Sequence, residues 1–205
     1  MIVVIDCGVG NIGSILSMGR KTGADFTASR DPIVVARADK LILPGVGAFD
    51  SGMNKLRESG LIPILNERVL VDQVPILGIC LGLQFFTRGT EEGRLPGLGW
   101  IAAQTRRFKF SPEQSRLKVP HMGWNSVEVA KMDTLVSDLP PEPRFYFVHS
   151  YYVECDEPTD VLTWTTYGRP FASGVQRGNI RGTQFHPEKS HKFGLALLKN
   201  FIRFA

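Results

Sequence analysis

The sequence is poor in the residues that build covalent or metal-held frameworks. It has three cysteines, Cys7, Cys80 and Cys155, and four histidines, His121, His149, His186 and His191, among 205 residues. The cysteines are odd in number and far apart, and no Cys-x-x-Cys or His-x-His occurs, so neither a disulfide framework nor a metal site is signalled. Free thiols suit a reducing compartment. No apolar run approaches the roughly 20 residues that a membrane-spanning helix needs. The opening Met1-Ile2-Val3-Val4-Ile5-Asp6 lacks the basic start and long apolar core of a signal peptide. A cytoplasmic location with no membrane partner is expected. Strong charge of one sign is missing too: the net charge is +4, and the only close basic cluster is Arg106, Arg107 and Lys109. That cluster sits in an alternating run suited to a solvated strand face, which argues against nucleic acid as a partner. With no linker, repeat or low-complexity segment, and with 43% hydrophobic residues to fill one core, a single domain over residues 1–205 is expected.

What is present is an alternation of apolar runs and helix-patterned stretches. Residues 2–5 are a continuous apolar run suited to a buried parallel strand, and residues 12–21 carry helical spacing through Ile12, Ile15, Leu16 and Gly19. Residues 40–43 and 74–79 read as further buried strands, with helical material at 56–71 interrupted by Gly60 and Pro63. Alternation of this kind implies a parallel sheet covered by helices on both faces. From Gly97 onward, residues 100–110, 126–130, 144–153, 161–167 and 172–176 look like strands with short turns, which antiparallel additions to the core would account for. Leu197, Leu198, Phe201, Ile202 and Ala205 are spaced for one face of a closing helix. The expected fold class is α/β, a mostly parallel central sheet with flanking helices and added antiparallel strands.

Within this frame, Gly78-Ile79-Cys80-Leu81-Gly82-Leu83-Gln84 follows a strand and leads into a helix start at Leu83. Gly-x-Cys-x-Gly has the form of a nucleophile elbow, in which small flanking residues let the chain turn sharply and present the thiol at a helix N-terminus. The other reading is a buried structural cysteine between two packing glycines. Pro44-Gly45-Val46-Gly47-Ala48-Phe49 ends a strand, where a glycine-flanked peptide can aim N–H groups at an oxyanion or simply form a turn. In His186-Pro187-Glu188, Pro187 biases His186 to extended backbone, so Glu188 can lie beside its ring and hold its tautomer. His121 and His149 sit in polar segments with apolar surroundings, where packed, hydrogen-bonded histidines are commoner than catalysts. Gly8-Val9-Gly10-Asn11-Ile12-Gly13, with Asp31 18 residues beyond the last glycine, matches a dinucleotide fingerprint in form, or serves as a tight turn for strand-helix packing.

Taken together, the elbow, the Pro44–Phe49 loop and His186-Pro187-Glu188 resemble the class I glutamine amidotransferase family, with its Cys, His, Glu order. Asp6 to Ile12, Pro120 to Asn125, Tyr146 to Tyr151 and Lys189-Ser190 are similar to the glutaminase subunits of imidazole glycerol phosphate synthase, the HisH type, although Gly13 stands where Arg is common. The resemblance implies a catalytic triad of Cys80, His186 and Glu188, with oxyanion donors from Leu81 and the Val46-Gly47 peptide. It also implies Gln84, Gly47, Ser150 and Tyr151 around the substrate L-glutamine, and no cofactor. The implied partner is a HisF-type cyclase subunit in a heterodimer, met through Asn11, Trp124 and Lys189. The glycine-flanked Val46 peptide further suggests that the second oxyanion donor falls into place only when the partner carries its substrate. Three alternatives stay open: a dinucleotide-binding module, a stand-alone cysteine hydrolase, and the same glutaminase chemistry serving another acceptor, such as surface-sugar amidation.

Overall fold

Alternate side chains of the first strand enter two different apolar layers. In β1 (Ile2–Ile5), Val3 and Ile5 join one buried cluster and Ile2 and Val4 the other, because successive residues of a strand point to opposite faces. The computed structural model describes residues 1–203, so Ala205 of the expected closing face lies outside the described residues. After β1 come α1 (Ile12–Thr22), β2 (Phe26–Ser29), α2 (Pro32–Ala36), β3 (Lys40–Gly45), α3 (Phe49–Glu58) and α4 (Ile62–Asn66). A π-helical turn at Glu67–Val71 then leads to β4 (Ile76–Cys80) and α5 (Leu81–Phe85). Strands β2, β1, β3 and β4 lie side by side in that order, all parallel. α1 covers one face through Ile15 and Met18, and α3 covers the other through Phe49, Met53 and Leu56. Fully burying one such side chain contributes roughly 1.5–3 kcal/mol.

The second half adds β5 (Ala103–Arg107), β6 (His121–Ser126), β7 (Glu128–Val129), β8 (Arg144–His149), β9 (Tyr151–Cys155), β10 (Val161–Tyr167), β11 (Arg169–Arg177) and β12 (Ile180–Thr183). α6 (His191–Arg203) then closes the first face beside α1, with Leu197, Leu198 and Phe201 inward. β12 pairs parallel to β4, and β11, β10 and β7 continue antiparallel beyond it, with β9 on β11 and β5 on β9. Two expectations need correction. Residues 144–153 are not one strand: the chain breaks at Ser150, because β8 pairs with β6 in a separate two-stranded sheet while β9 belongs to the main one. Residues 126–130 contribute only the short β7, since Ser126 ends β6.

The turn between β4 and α5 is tighter than the residue pattern suggested. The helix starts at Leu81, directly after Cys80, and not at Leu83. Cys80 itself sits at φ 54° and ψ −108°, outside the regions that L-residues favour. Such a turn requires close backbone approach on both sides. A Cβ on Gly82 would lie 1.8 Å from the Leu43 carbonyl oxygen, and one on Gly78 would lie 2.5 Å from the Phe86 ring. Gly82→Ala should therefore destabilise the protein by at least the roughly 1–3 kcal/mol of an overpacked core. Gly13→Ala, with no atom within 4 Å of the added carbon, should be close to neutral. Urea unfolding of the two variants checks the contrast.

Candidate active site

The carboxyl ends of the parallel strands converge on a cavity of about 310 Å³. β3 and β4 stay paired to their last residues, Gly45 opposite Cys80, which sets the Gly45–Gly47 loop beside the elbow. Val46, Gly47, Cys80, Leu81 and Gln84 line the cavity. Ser150, Tyr151 and His186 line it as well, brought there by the break between β8 and β9 and by the end of β12. Open parallel sheets bind ligands at this end. The loop's freedom is lopsided. A Cβ on Gly45 would meet the Gly82 nitrogen at 2.8 Å, whereas Gly47, at φ 97°, has open space around it, and Val46 is 43% exposed.

His186 is held from several directions. Its backbone N–H donates to the Tyr146 carbonyl, and Ser190 Oγ donates to the His186 carbonyl at 2.6 Å. Its Nδ1 lies 2.7 Å from Glu188 Oε1, and both side chains are almost fully buried. Burial by itself lowers the imidazole's pKa, but the Cys80 sulfur and the Glu188 carboxylate favour the charged ring more strongly, and the pKa is pushed up to about 10. Nδ1 being taken by Glu188, the buried Nε2 is the ring nitrogen left for the Cys80 sulfur and for a group in the cavity. The arrangement can supply a thiol nucleophile, a cationic acid beside it and a carboxylate that fixes the tautomer.

A family model described as glutamine amidotransferase class-I matches residues 3–204. The chain belongs to the class I glutamine amidotransferases. Its curated relatives include a protein of Methanococcus maripaludis, 52% identical over 99% of both chains, named imidazole glycerol phosphate synthase subunit HisH 2. A Pseudomonas aeruginosa protein of the same name is 50% identical over 98% of both chains. Among solved structures, a glutamine amidotransferase of Thermotoga maritima shares the fold with TM-score 0.69 and 16% identity, covering 98% of this chain and 95% of the other.

In this amidotransferase the histidines that looked like packing residues are a linked pair. His149 Nδ1 lies 2.7 Å from the Tyr151 carbonyl, so that nitrogen carries the proton. Its Nε2, 2.9 Å from His121 Nδ1, must then accept, and His121 Nε2 accepts in turn from Asn125 Nδ2 at 3.2 Å. Both rings are neutral. Burial drives their pKa values down to about 4 for His121 and about 3 for His149. His149 also lines the cavity, as does Glu92, whose Oε2 accepts from the Phe49 N–H at 3.0 Å. Neither was singled out as a site residue from sequence. Glu92 lies beyond the elbow helix in irregular chain that Asp50 grips through the N–H groups of Arg94 and Leu95, and no local pattern marks such a position.

The remaining expected residues fall elsewhere. Exposed Trp124 stacks on His191 at 5.5 Å, and Lys189 Nζ lies over the Tyr146 ring at 5.7 Å. Asn11 Oδ1 accepts from the Ser14 N–H and caps α1, which packs on the Pro187–Lys189 turn. Asp31, the residue a dinucleotide reading needs, instead caps α2 by accepting from the Ile33 N–H. No group of three or more metal-ligating side chains occurs among the described residues, and none of their helices is long and apolar enough to cross a membrane.

The two neutral imidazoles set a pH dependence. Their folded pKa values lie below the unfolded value of about 6.5, so their stabilisation is full above that pH and lost as pH falls. Each should cost about 1.4 kcal/mol per pH unit of acidification below about 6.5. Thermal unfolding midpoints should fall from about pH 6.5 to about pH 5, less steeply in His149→Asn, which keeps a donor for the Tyr151 carbonyl.

Proposed function

We propose that this amidotransferase is the glutaminase subunit of imidazole glycerol phosphate synthase and hydrolyses L-glutamine through Cys80, His186 and Glu188. The observation that carries the residue assignment is the meeting, in one cavity, of the strained Cys80 with an imidazole held cationic by its sulfur and by a buried carboxylate. The Cys80 thiolate attacks the side-chain amide carbon. The oxyanion is received by the Leu81 N–H and by one from the Val46-Gly47 peptide. His186 protonates the departing ammonia and then serves as base for the water that hydrolyses the glutamyl thioester, releasing glutamate. Gln84, Ser150 and Tyr151 border the end of the cavity that takes the amino-acid part of the substrate, where the Glu92 carboxylate suits its ammonium group.

Ammonia released into neutral water becomes ammonium and is no nucleophile, so the product has to pass directly to a second active site. The names of the relatives at 52% and 50% identity support a HisF-type cyclase as that partner, docked on the face carrying Trp124, Lys189 and Asn11. The acceptor there is the ribulosyl aminoimidazole carboxamide intermediate, converted to imidazole glycerol phosphate and aminoimidazole carboxamide ribotide. The open side of the Val46-Gly47 peptide supports completion of the oxyanion site by that partner.

Glutamate release by the purified chain, alone and with a HisF-type subunit plus the ribulosyl intermediate, tests the reading. Strong activation in the full mixture is expected. Activity that ignores the partner would identify a stand-alone hydrolase. In the complex, Cys80→Ala should abolish glutamine-dependent turnover, and Glu188→Gln should reduce it roughly a hundredfold or more. Both should leave synthesis from added ammonia intact, and loss of that reaction as well would assign these residues to the interface or the fold.

A further inference from the structure

Behind the cavity lining, a polar side chain that the triad does not include is directed at Cys80. Gln184 is fully buried, and its Nε2 lies 3.6 Å from Cys80 Sγ. Its place follows from sheet register. β12 and β4 run parallel with Thr183 opposite Ile79, so the next residue along β12 stands opposite Cys80. The Gln184 N–H donates to the Ser173 carbonyl at 2.8 Å, which keeps the chain extended past the end of the strand. On extended backbone Gln184 and His186 share a face, and both reach the sulfur.

The direction of the Gln184 amide is forced by its neighbours. The Tyr151 carbonyl can only accept, so the Gln84 atom 3.4 Å from it is the amino nitrogen. The same nitrogen lies 3.1 Å from Gln184, which must therefore present its oxygen there. The Gln184 amino group is left facing the sulfur. Of the two N–H groups of this buried amide one is directed at the sulfur, and an anionic sulfur accepts it better than a neutral thiol does.

We propose that Gln184 is a further catalytic residue, a hydrogen-bond donor that stabilises and aims the Cys80 thiolate, with its orientation locked by Gln84 from the Tyr151 carbonyl. It rests on the reading of Cys80 as the nucleophile. The donor also sits between the two halves of the site: Gln84 borders the substrate and Gln184 touches the sulfur. A substrate that shifts Gln84 would thus alter the donor on the nucleophile.

The test is the pH profile of Cys80 alkylation by iodoacetamide, from about pH 5 to about pH 9, with the modified cysteine located by mass spectrometry. Gln184→Met keeps the length of the side chain and removes the donor. Its profile should move up by about one pH unit, with roughly tenfold slower alkylation on the acidic side. Gln184→Glu, which sets a carboxylate against the sulfur, should move it further. Folding of each variant is checked by circular dichroism. If neither folds, Gln84→Met serves instead, because it frees the Gln184 amide to turn and should shift the profile the same way. An unshifted profile in the folded variants overturns the proposal. Wild-type protein in which Cys80 is not the preferentially alkylated cysteine would overturn the nucleophile assignment itself.

Discussion

The backbone of Cys80 is the constraint on which the site depends. Holding a non-glycine residue at φ 54° and ψ −108° costs of order 1–3 kcal/mol and persists only where the surroundings over-determine it. Here β3 and β12 flank β4 to its end, and Gly82 lets α5 approach the Leu43 carbonyl more closely than any side chain would permit. The strain has a use. It places the sulfur at the mouth of the sheet, beside the loop that ends β3 and the residues that follow β12, so one turn organises contributions from three strands.

Two buried imidazoles near this sulfur are tuned in opposite directions. His186 faces a sulfur and a carboxylate, and its pKa is pushed up to about 10. His149 faces a backbone carbonyl and another neutral ring, and desolvation takes its pKa down to about 3. Burial disfavours charge on both, and only the His186 partners outweigh it. The division keeps a single cationic ring in the cavity, since a second beside it would repel the first. The Tyr151 carbonyl takes part on both sides, accepting from His149 and from Gln84.

The site is also open where a partner would matter. Gly45 is clamped against the elbow, while Gly47 stands in free space and Val46 is exposed. The peptide between a fixed and a free glycine can turn at modest cost. Trp124, Tyr146, Lys189 and His191 form a contiguous set of ring contacts on β6, β8, the turn after His186 and the start of α6. Groups that touch this set are one short turn from the triad, so contact there and chemistry in the cavity share a rigid support.

Much of the first half was legible in the sequence because local rules govern it. Continuous apolar runs require burial on both faces, and Gly-x-Cys-x-Gly between a strand and a helix start permits a sharp turn, so β1, β3, β4 and the elbow are suggested by near neighbours. Glu188 does flank His186, but from a 3-10 turn over Pro187–Lys189 and not from a continuation of the extended backbone that Pro187 suggested for His186. Other features depend on contacts between residues far apart in the chain. Residues 144–153 read as one strand because nothing local marks Ser150, and the break exists because β8 pairs with β6 in one sheet while β9 joins the other. Glu92 reaches the cavity only because Asp50 holds the following backbone. Gln184 points at Cys80 through the register of two strands separated by about a hundred residues. The sequence by itself therefore determined the α/β class, the elbow and the paired His186 and Glu188, since these rest on local sterics and periodicity. Tertiary structure alone decided which ring is charged, which amide faces the sulfur and which carboxylate enters the cavity, since burial and hydrogen-bond direction are set by neighbours that only folding supplies.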